Sequence, residues 1–210
     1  MSLWKLINGR WGSGAGQTDE IRIDASTNAL ITMDHELHEI HAGGSFTVHV
    51  DNTTANTDDH RTLLGFETPA GTKWAHMIVL IGASNPAEAF FYEGITIDDD
   101  EGVELTIEDR NRNTDNTSVL LSFENPAVAG LVTWMNETQL ATANFVSGTI
   151  LDHFQVIAGS GPKALGGTSR STEEWILKPS TKYAVVIQNV GASTNLHEIH
   201  LDWDEDTDIN

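Results

Sequence analysis

Apolar and polar residues alternate with a period of two over much of this chain, which is the pattern of half-buried β-strands. The alternation is clear at Ser45–Val50, from Leu177 to Ile187, and from His197 to Trp203, where every second residue shares one face. Lys73–Ile81 is apolar on both faces and predicts a central strand. Amphipathic helices are hard to find. The pattern predicts an all-β fold, a β-sandwich or jelly-roll-like single domain.

One stretch near the C-terminus predicts how two strands meet. Two apolar runs, Trp175–Leu177 and Tyr183–Ile187, flank a short turn that contains Pro179, which cannot donate to a strand ladder. Tyr183 can pack its ring in the core while its hydroxyl bonds back to nearby backbone, as in the tyrosine corner of Greek-key sandwiches. The alternative is an ordinary buried tyrosine at the start of a strand.

Turn residues predict the course of the chain elsewhere. We expect Tyr183–Val190 and Asn195–Trp203 to pair as a hairpin, and the Gly-rich segment Gly159–Arg170 to form an exposed loop. A strand that begins at Ala29 is expected to continue into a histidine-rich stretch. The pair of glycines at 43–44 and the flanking strand pattern disfavour a helix there.

The first 17 residues differ from the rest. Residues 1–17 predict a short, flexible N-terminal arm, and residues 18–210 the β-sandwich domain. Trp4 and Trp11 lie in this arm, close to a run of Gly and Ser that is typical of a tether. A tryptophan on a tether needs a surface to bury against. The arm therefore docks on a neighbouring subunit or, alternatively, folds back as an end strand of its own domain.

Composition narrows the class of partner. The 210 residues carry 31 acidic and 11 basic side chains, a net charge of −20, so we expect no direct binding to nucleic acid, whose phosphates need clustered Lys and Arg. Cysteine is absent, which excludes disulfides and thiol chemistry. Without a leader or an apolar run of about 18 residues, we expect a soluble protein with no membrane partner. The acidity fits adaptation to high salt or, more simply, a soluble particle surface.

The sharpest local signal is a repeated pentapeptide, Leu-His-Glu-Ile-His, at Leu37–His41 and Leu196–His200. Its histidines are three apart, whereas a zincin helix needs histidines four apart. On a strand, residues three apart point to opposite faces. On a helix, His35, His38 and His41 would share one face, but a helix is disfavoured here. We therefore expect no metal site and no cofactor.

Other candidate chemistry is weak. Asp98–Gly102 is rich in carboxylates but lacks the spaced ligands of a calcium loop, so a solvated acidic turn is the preferred interpretation. Gly159–Lys163 is similar to a phosphate loop in composition only, and no Gly-x-Ser-x-Gly elbow is present. We expect no catalytic residue and a protein that is not an enzyme.

Three arginines stand out in so acidic a chain. Arg110, Arg112 and Arg170 are flanked by Asn or Ser, and each either pairs with a carboxylate of the same or a neighbouring subunit or is a solvated loop residue. With Trp4 and Trp11, the first two are the candidate interface residues.

Several longer segments are similar to a known family. The chain resembles virion structural proteins of tailed phages and related viruses. The resemblance rests on four segments that span most of the chain: Thr18–Met33, His38–Phe46, Asp109–Ser118 and Gly166–Asn189. It implies a non-enzymatic, β-rich protein of the virus particle, located on the outer surface of the head.

From this we expect a capsid decoration or cement protein on the capsid surface, bound to the major capsid protein. A homotrimer suits the local three-fold positions of a capsid lattice, where several weak contacts act together. The alternative is a host-attachment or carbohydrate-binding module displayed on the virion, on a head fibre, turret or tail. A metal-binding enzyme built around the two pentapeptides is a third, weaker option.

Overall fold

The computed structural model describes residues 35–56, 59–71, 73–98, 100–156, 163–166, 174–191 and 194–207. The chain divides into two compact units, Met1–His38 and Glu39–Asn210. The second unit is a β-sandwich of two antiparallel sheets, which confirms the predicted fold class. The predicted arm with its two tryptophans, its boundary at residue 17, and Arg170 lie outside the described residues.

The elements of the described residues are short, and most are strands. In chain order they are α1 (His35–Ala42), β1 (Ser45–Asn56), β2 (Arg61–Thr68), β3 (Lys73–Ala83), β4 (Ala87–Glu93), β5 (Val103–Thr106), β6 (Glu108–Asp109), β7 (Leu131–Asn136), α2 (Glu137–Thr142), β8 (Thr149–Val156), β9 (Lys163–Gly166), β10 (Trp175–Ile176), β11 (Thr181–Asn189) and β12 (Asn195–Thr207).

The strands form two sheets that face each other. Sheet I has the order β10-β3-β12-β1-β6, with β9 also paired to β3, and sheet II has the order β5-β7-β2-β11-β4-β8. Strand β3 is paired along both edges, which confirms the central strand predicted from its apolar run. The inward side chains of both sheets make one core, which includes Phe46, Leu64, Phe66, Met77, Ile81, Phe91, Tyr183, Val185, Ile187, Ile199, Leu201 and Trp203.

Tyr183 closes a tyrosine corner, as one of the two sequence interpretations predicted. Its ring is fully buried and stacks on Phe66, with ring centroids 5.7 Å apart. Its hydroxyl accepts a hydrogen bond from the Lys178 backbone N–H at 2.8 Å and donates to Glu93 Oε2 at 3.1 Å. Burial, together with the Glu93 carboxylate, raises the pKa of Tyr183 to about 12. The corner therefore fixes the turn before β11 to the rim of sheet II.

The predicted C-terminal hairpin is wrong. Strand β11 pairs with β2 and β4 in sheet II, whereas β12 pairs with β1 and β3 in sheet I. The chain between Asn189 and Asn195 therefore crosses from one sheet to the other. Both β11 and β12 are apolar on their inner faces, and each is paired along both edges within its own sheet. Closeness in sequence therefore does not force these two strands to pair with each other. The predicted loop Gly159–Arg170 is also wrong in part, because Lys163–Gly166 is β9 and pairs with β3.

A second apolar cluster covers part of the outer face of sheet II. Helix α2, which the strand pattern did not predict, contributes Leu140 to this cluster. The helix begins with a capping box, in which the Asn136 and Gln139 side chains each bond the other's backbone N–H. Arg61 of β2 makes a bidentate pair with Glu137, at 3.0 Å for both Nε–Oε2 and Nη2–Oε1, which ties the helix to the sheet.

Candidate functional site

The predicted interface arginines, Arg110 and Arg112, lie on one loop, Asp109–Ser118, which we call the Asp109 loop. It leaves the short strand β6, which pairs with the start of β1. The Arg110 N–H donates to the Ser45 carbonyl at 3.0 Å and extends that ladder by one more bond. The loop therefore starts from the edge of sheet I.

Asp109 organises most of the loop. Its side chain is buried and accepts from the Asn111 N–H at 2.8 Å, the Thr114 hydroxyl at 2.6 Å and the Asn116 N–H at 3.3 Å. Asp and Asn favour such turns because their short side chains bond backbone N–H groups one or two residues on. One carboxylate thus holds eight residues of loop in a single conformation, 109 to 116.

The loop also caps helix α1. The Gly44 N–H bonds the Glu39 carbonyl and the Gly43 N–H bonds the Ile40 carbonyl, which is the Schellman motif that ends many helices. Asn111 Nδ2 donates to the His41 carbonyl and Asn116 Nδ2 to the Gly43 carbonyl, both at 3.0 Å. The histidine-rich stretch is therefore a helix, and the predicted strand there is wrong. The Gly43 residue that argued against a helix terminates it, with φ of 74°.

Glu205 anchors the far end of the loop. Its buried carboxylate accepts hydrogen bonds from the Ser118 hydroxyl, from the Val119 N–H at 3.0 Å and from Trp203 Nε1 at 3.0 Å. Burial raises the pKa of Glu205, against the hydrogen bonds that favour its charged form. Two buried carboxylates, at 109 and 205, therefore hold the two ends of the loop.

The two arginines differ in their surroundings. Arg112 is 72% exposed and bonds the Glu108 carboxylate through one nitrogen only. Arg110 donates to Ser45 Oγ at 3.3 Å and lies close enough to the carboxylate of Asp202 to help lower its pKa. The exposed Arg112 guanidinium therefore presents its other nitrogens to solvent on the loop.

Beside the loop, the outer face of sheet I carries His200 of the second pentapeptide. His200 faces His49 across β1 and β12, with ring centroids 6.2 Å apart. His200 Nε2 lies 2.9 Å from Thr47 Oγ1 and 3.2 Å from Asp202 Oδ1. Both contacts use the same ring nitrogen, so this trio is not a nucleophile relay, in which the hydroxyl and the carboxylate bond opposite nitrogens. The hydrogen bond that His200 donates to the Asp202 carboxylate raises the pKa of His200.

The described part of the chain contains no metal site at the pentapeptides. No group of three or more His, Asp or Glu side chains there has the arrangement to hold an ion. His41 is exposed on α1, and the side chains of His35 and His38 lie outside the described residues. In the acidic turn, Asp98 and Glu101 accept from Asn144 and Thr142 instead.

Sequence reasoning missed the two carboxylates that hold the Asp109 loop. The role of Asp109 had a signal, because Asp followed two residues later by Asn is typical of an Asx turn. Glu205 had none, since its partners on the loop side, Ser118 and Val119, are 87 and 86 residues away. Nor did sequence reasoning identify the bidentate pair of Arg61 with Glu137, which are 76 residues apart.

Searches of known protein families, of characterised proteins and of solved structures found no match to this chain. Among the described residues, neither helix has the length and apolar character needed to cross a lipid bilayer.

Proposed function

We propose that the protein is a non-enzymatic structural protein of a virus particle, a decoration protein that binds the outside of the capsid and stabilises the lattice of major capsid protein. The proposal starts from the four segments that resemble virion structural proteins. It places the chain on the capsid surface as a homotrimer, where three-fold lattice positions reward a symmetric binder.

The observation that carries the proposal is the contact between two of those segments. His38–Phe46 and Asp109–Ser118 are far apart in sequence, yet residues 41 and 43 of the first accept side-chain hydrogen bonds from Asn111 and Asn116 of the second. These two segments thus build one substructure. Its product is a rigid, exposed loop, which favours docking because a preordered surface loses little entropy on binding.

Charge supports the same role. The loop presents the cation of Arg112 in a chain of net charge −20. A carboxylate on the capsid surface would form an ion pair with this arginine. The remaining acidic surface keeps decorated particles apart through mutual repulsion. We further propose that Trp4 and Trp11 anchor the N-terminal arm on a neighbouring subunit, since the sequence isolates them beside a Gly-rich stretch.

Copy number on purified particles tests the location. Hundreds of copies per particle support decoration of the shell, whereas a dozen or fewer point to a fibre, portal or tail and contradict the proposal. Binding of the isolated protein to undecorated capsids then tests the contacts, and removal of residues 1–16 should weaken it. Undiminished binding after this deletion would exclude the arm.

The loop arginine has a matched control. Arg112→Ala removes an exposed cation from the proposed interface. As the control, Lys178→Ala removes a cation whose side chain is 70% exposed and which likewise bonds one carboxylate, that of Glu93. We expect the first variant to bind capsids roughly tenfold more weakly, since a charge-assisted contact is worth about 1–2 kcal/mol. The second should bind as the parent does. Equal binding by both variants would exclude the loop from the interface.

One observation favours the alternative function, a host-attachment or carbohydrate-binding module. On the outer face of sheet II, Phe90 and His153 stack with centroids 4.5 Å apart and ring planes 7° apart, and Tyr92 adds to the stack at 5.7 Å. His153 and its neighbour Ile150 are exposed. Sugars stack on exposed aromatic rings, so binding to a glycan array that is lost in Phe90→Ala would favour this function.

A further inference from the structure

One end of the sandwich contains a buried polar cluster that the proposed function does not use. Connections between described strands cross there from sheet to sheet, among them β1 to β2, β3 to β4 and β11 to β12. They bond one another through backbone groups, with the Asn189 N–H on the His60 carbonyl and the Val190 N–H on the Pro86 carbonyl. Beneath them lies His197 of β12, whose side chain is 0% exposed.

His197 joins the two sheets through both ring nitrogens. Nε2 lies 2.8 Å from Asn189 Oδ1, and Nδ1 lies 2.9 Å from Thr62 Oγ1. His197 belongs to sheet I, whereas Asn189 and Thr62 belong to sheet II. One imidazole therefore bridges the sheets at the end where the chain crosses between them.

The hydrogen bonds have a fixed direction. An amide oxygen only accepts, so Nε2 carries the ring hydrogen and donates to Asn189. Nδ1 is then the acceptor, and the Thr62 hydroxyl donates to it. The Thr62 oxygen in turn accepts from Asn52 Nδ2 at 2.8 Å. The chain of bonds from Asn52 to Asn189 is complete only with a neutral imidazole in this one tautomer.

The same cluster holds the crossing connections. Asn195 Nδ2 donates to Asn189 Oδ1 at 2.7 Å, beside the bond from His197. Asn195 Oδ1 accepts from the Asn85 N–H at 2.8 Å and from the Ser84 hydroxyl at 3.1 Å, in the turn between β3 and β4. Loss of the His197 bridge would therefore loosen more than one crossing.

We propose that His197 is a proton-operated latch, closed when the imidazole is neutral and opened at this end of the sandwich when the imidazole is protonated. A proton on Nδ1 turns that nitrogen into a donor, so the Thr62 hydroxyl hydrogen must find another acceptor. The ring would also carry a charge in a buried site. Opening the end to water removes both costs.

Among the described residues around the ring, no charged partner offsets the free-energy cost of a protonated imidazole in this buried site. The ring's neighbours are Asn52 on β1, Thr62 on β2, Ala83 on β3 and Asn189 on β11, all uncharged. The charged and titratable residues nearest along those elements are Asp51 and Glu198, which are exposed, Arg61, which pairs with Glu137, and His60. The latch is therefore not held by an ion pair that acid would break separately.

The sign of the pH dependence follows from burial. Burial lowers the pKa of His197 from 6.5 to about 4. Because the ring of the open form titrates near 6.5, the open form takes up the proton first as the pH falls, and opening becomes more favourable between pH 6.5 and 4. Above pH 6.5 neither form is protonated, and the latch stays closed.

Native-state hydrogen exchange of the whole chain tests the latch. We expect the opening constants of the Ser84, Asn189 and Val190 amides, corrected for the intrinsic effect of pH, to rise roughly 70-fold from pH 7.5 to pH 4.5. Amides at the other end, such as Gly44 and Leu121, serve as the reference and should rise less. A uniform rise at both ends would overturn the proposal.

Two further measurements separate the latch from general acid effects. His197→Gln keeps a neutral side chain with a donor and an acceptor and should lose the acid-dependent rise, whereas His200→Gln, on the outer face, should keep it. A His197→Gln variant with an unchanged rise would contradict the latch. If that variant does not fold, NMR titration of the parent decides, because a His197 pKa near 6.5 would show that the ring is not latched.

Discussion

The same five residues, Leu-His-Glu-Ile-His, adopt two different structures in this molecule. The copy at Leu37–His41 lies within helix α1, and the copy at Leu196–His200 lies within strand β12. The described side chains differ in burial as well. The glutamate at the third position is buried as Glu39 in the first copy and exposed as Glu198 in the second. His41, at the fifth position of the first copy, is exposed, and His197, at the second position of the second copy, is fully buried.

The flanking residues account for the difference. After the first copy, Gly43 adopts the left-handed conformation that a Schellman cap requires, and the Asp109 loop supplies donors for the free carbonyls. After the second copy, the alternation continues through Trp203 between β1 and β3. A pentapeptide lacks enough hydrogen bonds to select either structure, so its neighbours in sequence and in space decide.

The largest expected effect is at the buried histidine of the strand copy. His197→Ala should lower the free energy of unfolding at pH 7.5 by about 4 kcal/mol, because it leaves a cavity and leaves Thr62 and Asn189 without their shared partner. Leu196→Ala, one residue earlier and 40% exposed, is the control and should cost less than about 1 kcal/mol. Chemical denaturation measures both, and equal losses would contradict the burial difference.

The helix copy depends on its cap. Gly43→Ala should destabilise the protein by about 2 kcal/mol, because φ is 74° and the added Cβ would overlap Asn116 Nδ2. At Gly71 a Cβ meets no atom within 4 Å, so Gly71→Ala should change stability by less than about 0.5 kcal/mol. Thermal unfolding compares the two. A Gly43→Ala variant as stable as Gly71→Ala would mean that the cap does not hold the helix.

The two histidines of the strand copy should respond to pH with opposite signs. The Asp202 hydrogen bond raises the pKa of His200. The stability that protonated His200 contributes is therefore present below pH 6.5 and is lost as the pH rises through the pKa of His200 in the folded protein. For Asp202→Asn, NMR titration should show a lower pKa for His200 than in the parent, with the pKa of His197 unchanged. A His200 pKa unmoved by this substitution would rule out Asp202 as its cause.

The smallest effect is expected at the exposed glutamate of the strand copy. Glu198 lies directly across from Asp51, and like charges in that position destabilise a sheet. Glu198→Gln should therefore stabilise the protein by about 0.3 kcal/mol in dilute buffer. The gain should vanish in about 1 M salt, where the Debye length is about 3 Å. A gain that persists in high salt would point to a cause other than charge.

The candidate site was predicted in part. Arg110 and Arg112 were singled out by their rarity in an acidic chain, and the structure places them on one loop beside the second pentapeptide. Their pairing with a carboxylate of a neighbouring subunit stays a prediction, and the carboxylates that hold the loop, Asp109 and Glu205, were not identified. A residue's own type can suggest an exposed charge, but the partner that orders it is remote in sequence.

The sequence alone determined the two-residue period and hence the class of fold. It also determined the inward face of β12 and offered the corner at Tyr183 as one of two interpretations, because alternation and local turn chemistry act over a few residues. Only the tertiary structure decided which strands are neighbours, why β11 and β12 separate into different sheets, and why one Leu-His-Glu-Ile-His copy is helical. These depend on hydrogen bonds between residues tens to more than a hundred positions apart, and no local pattern contains that information.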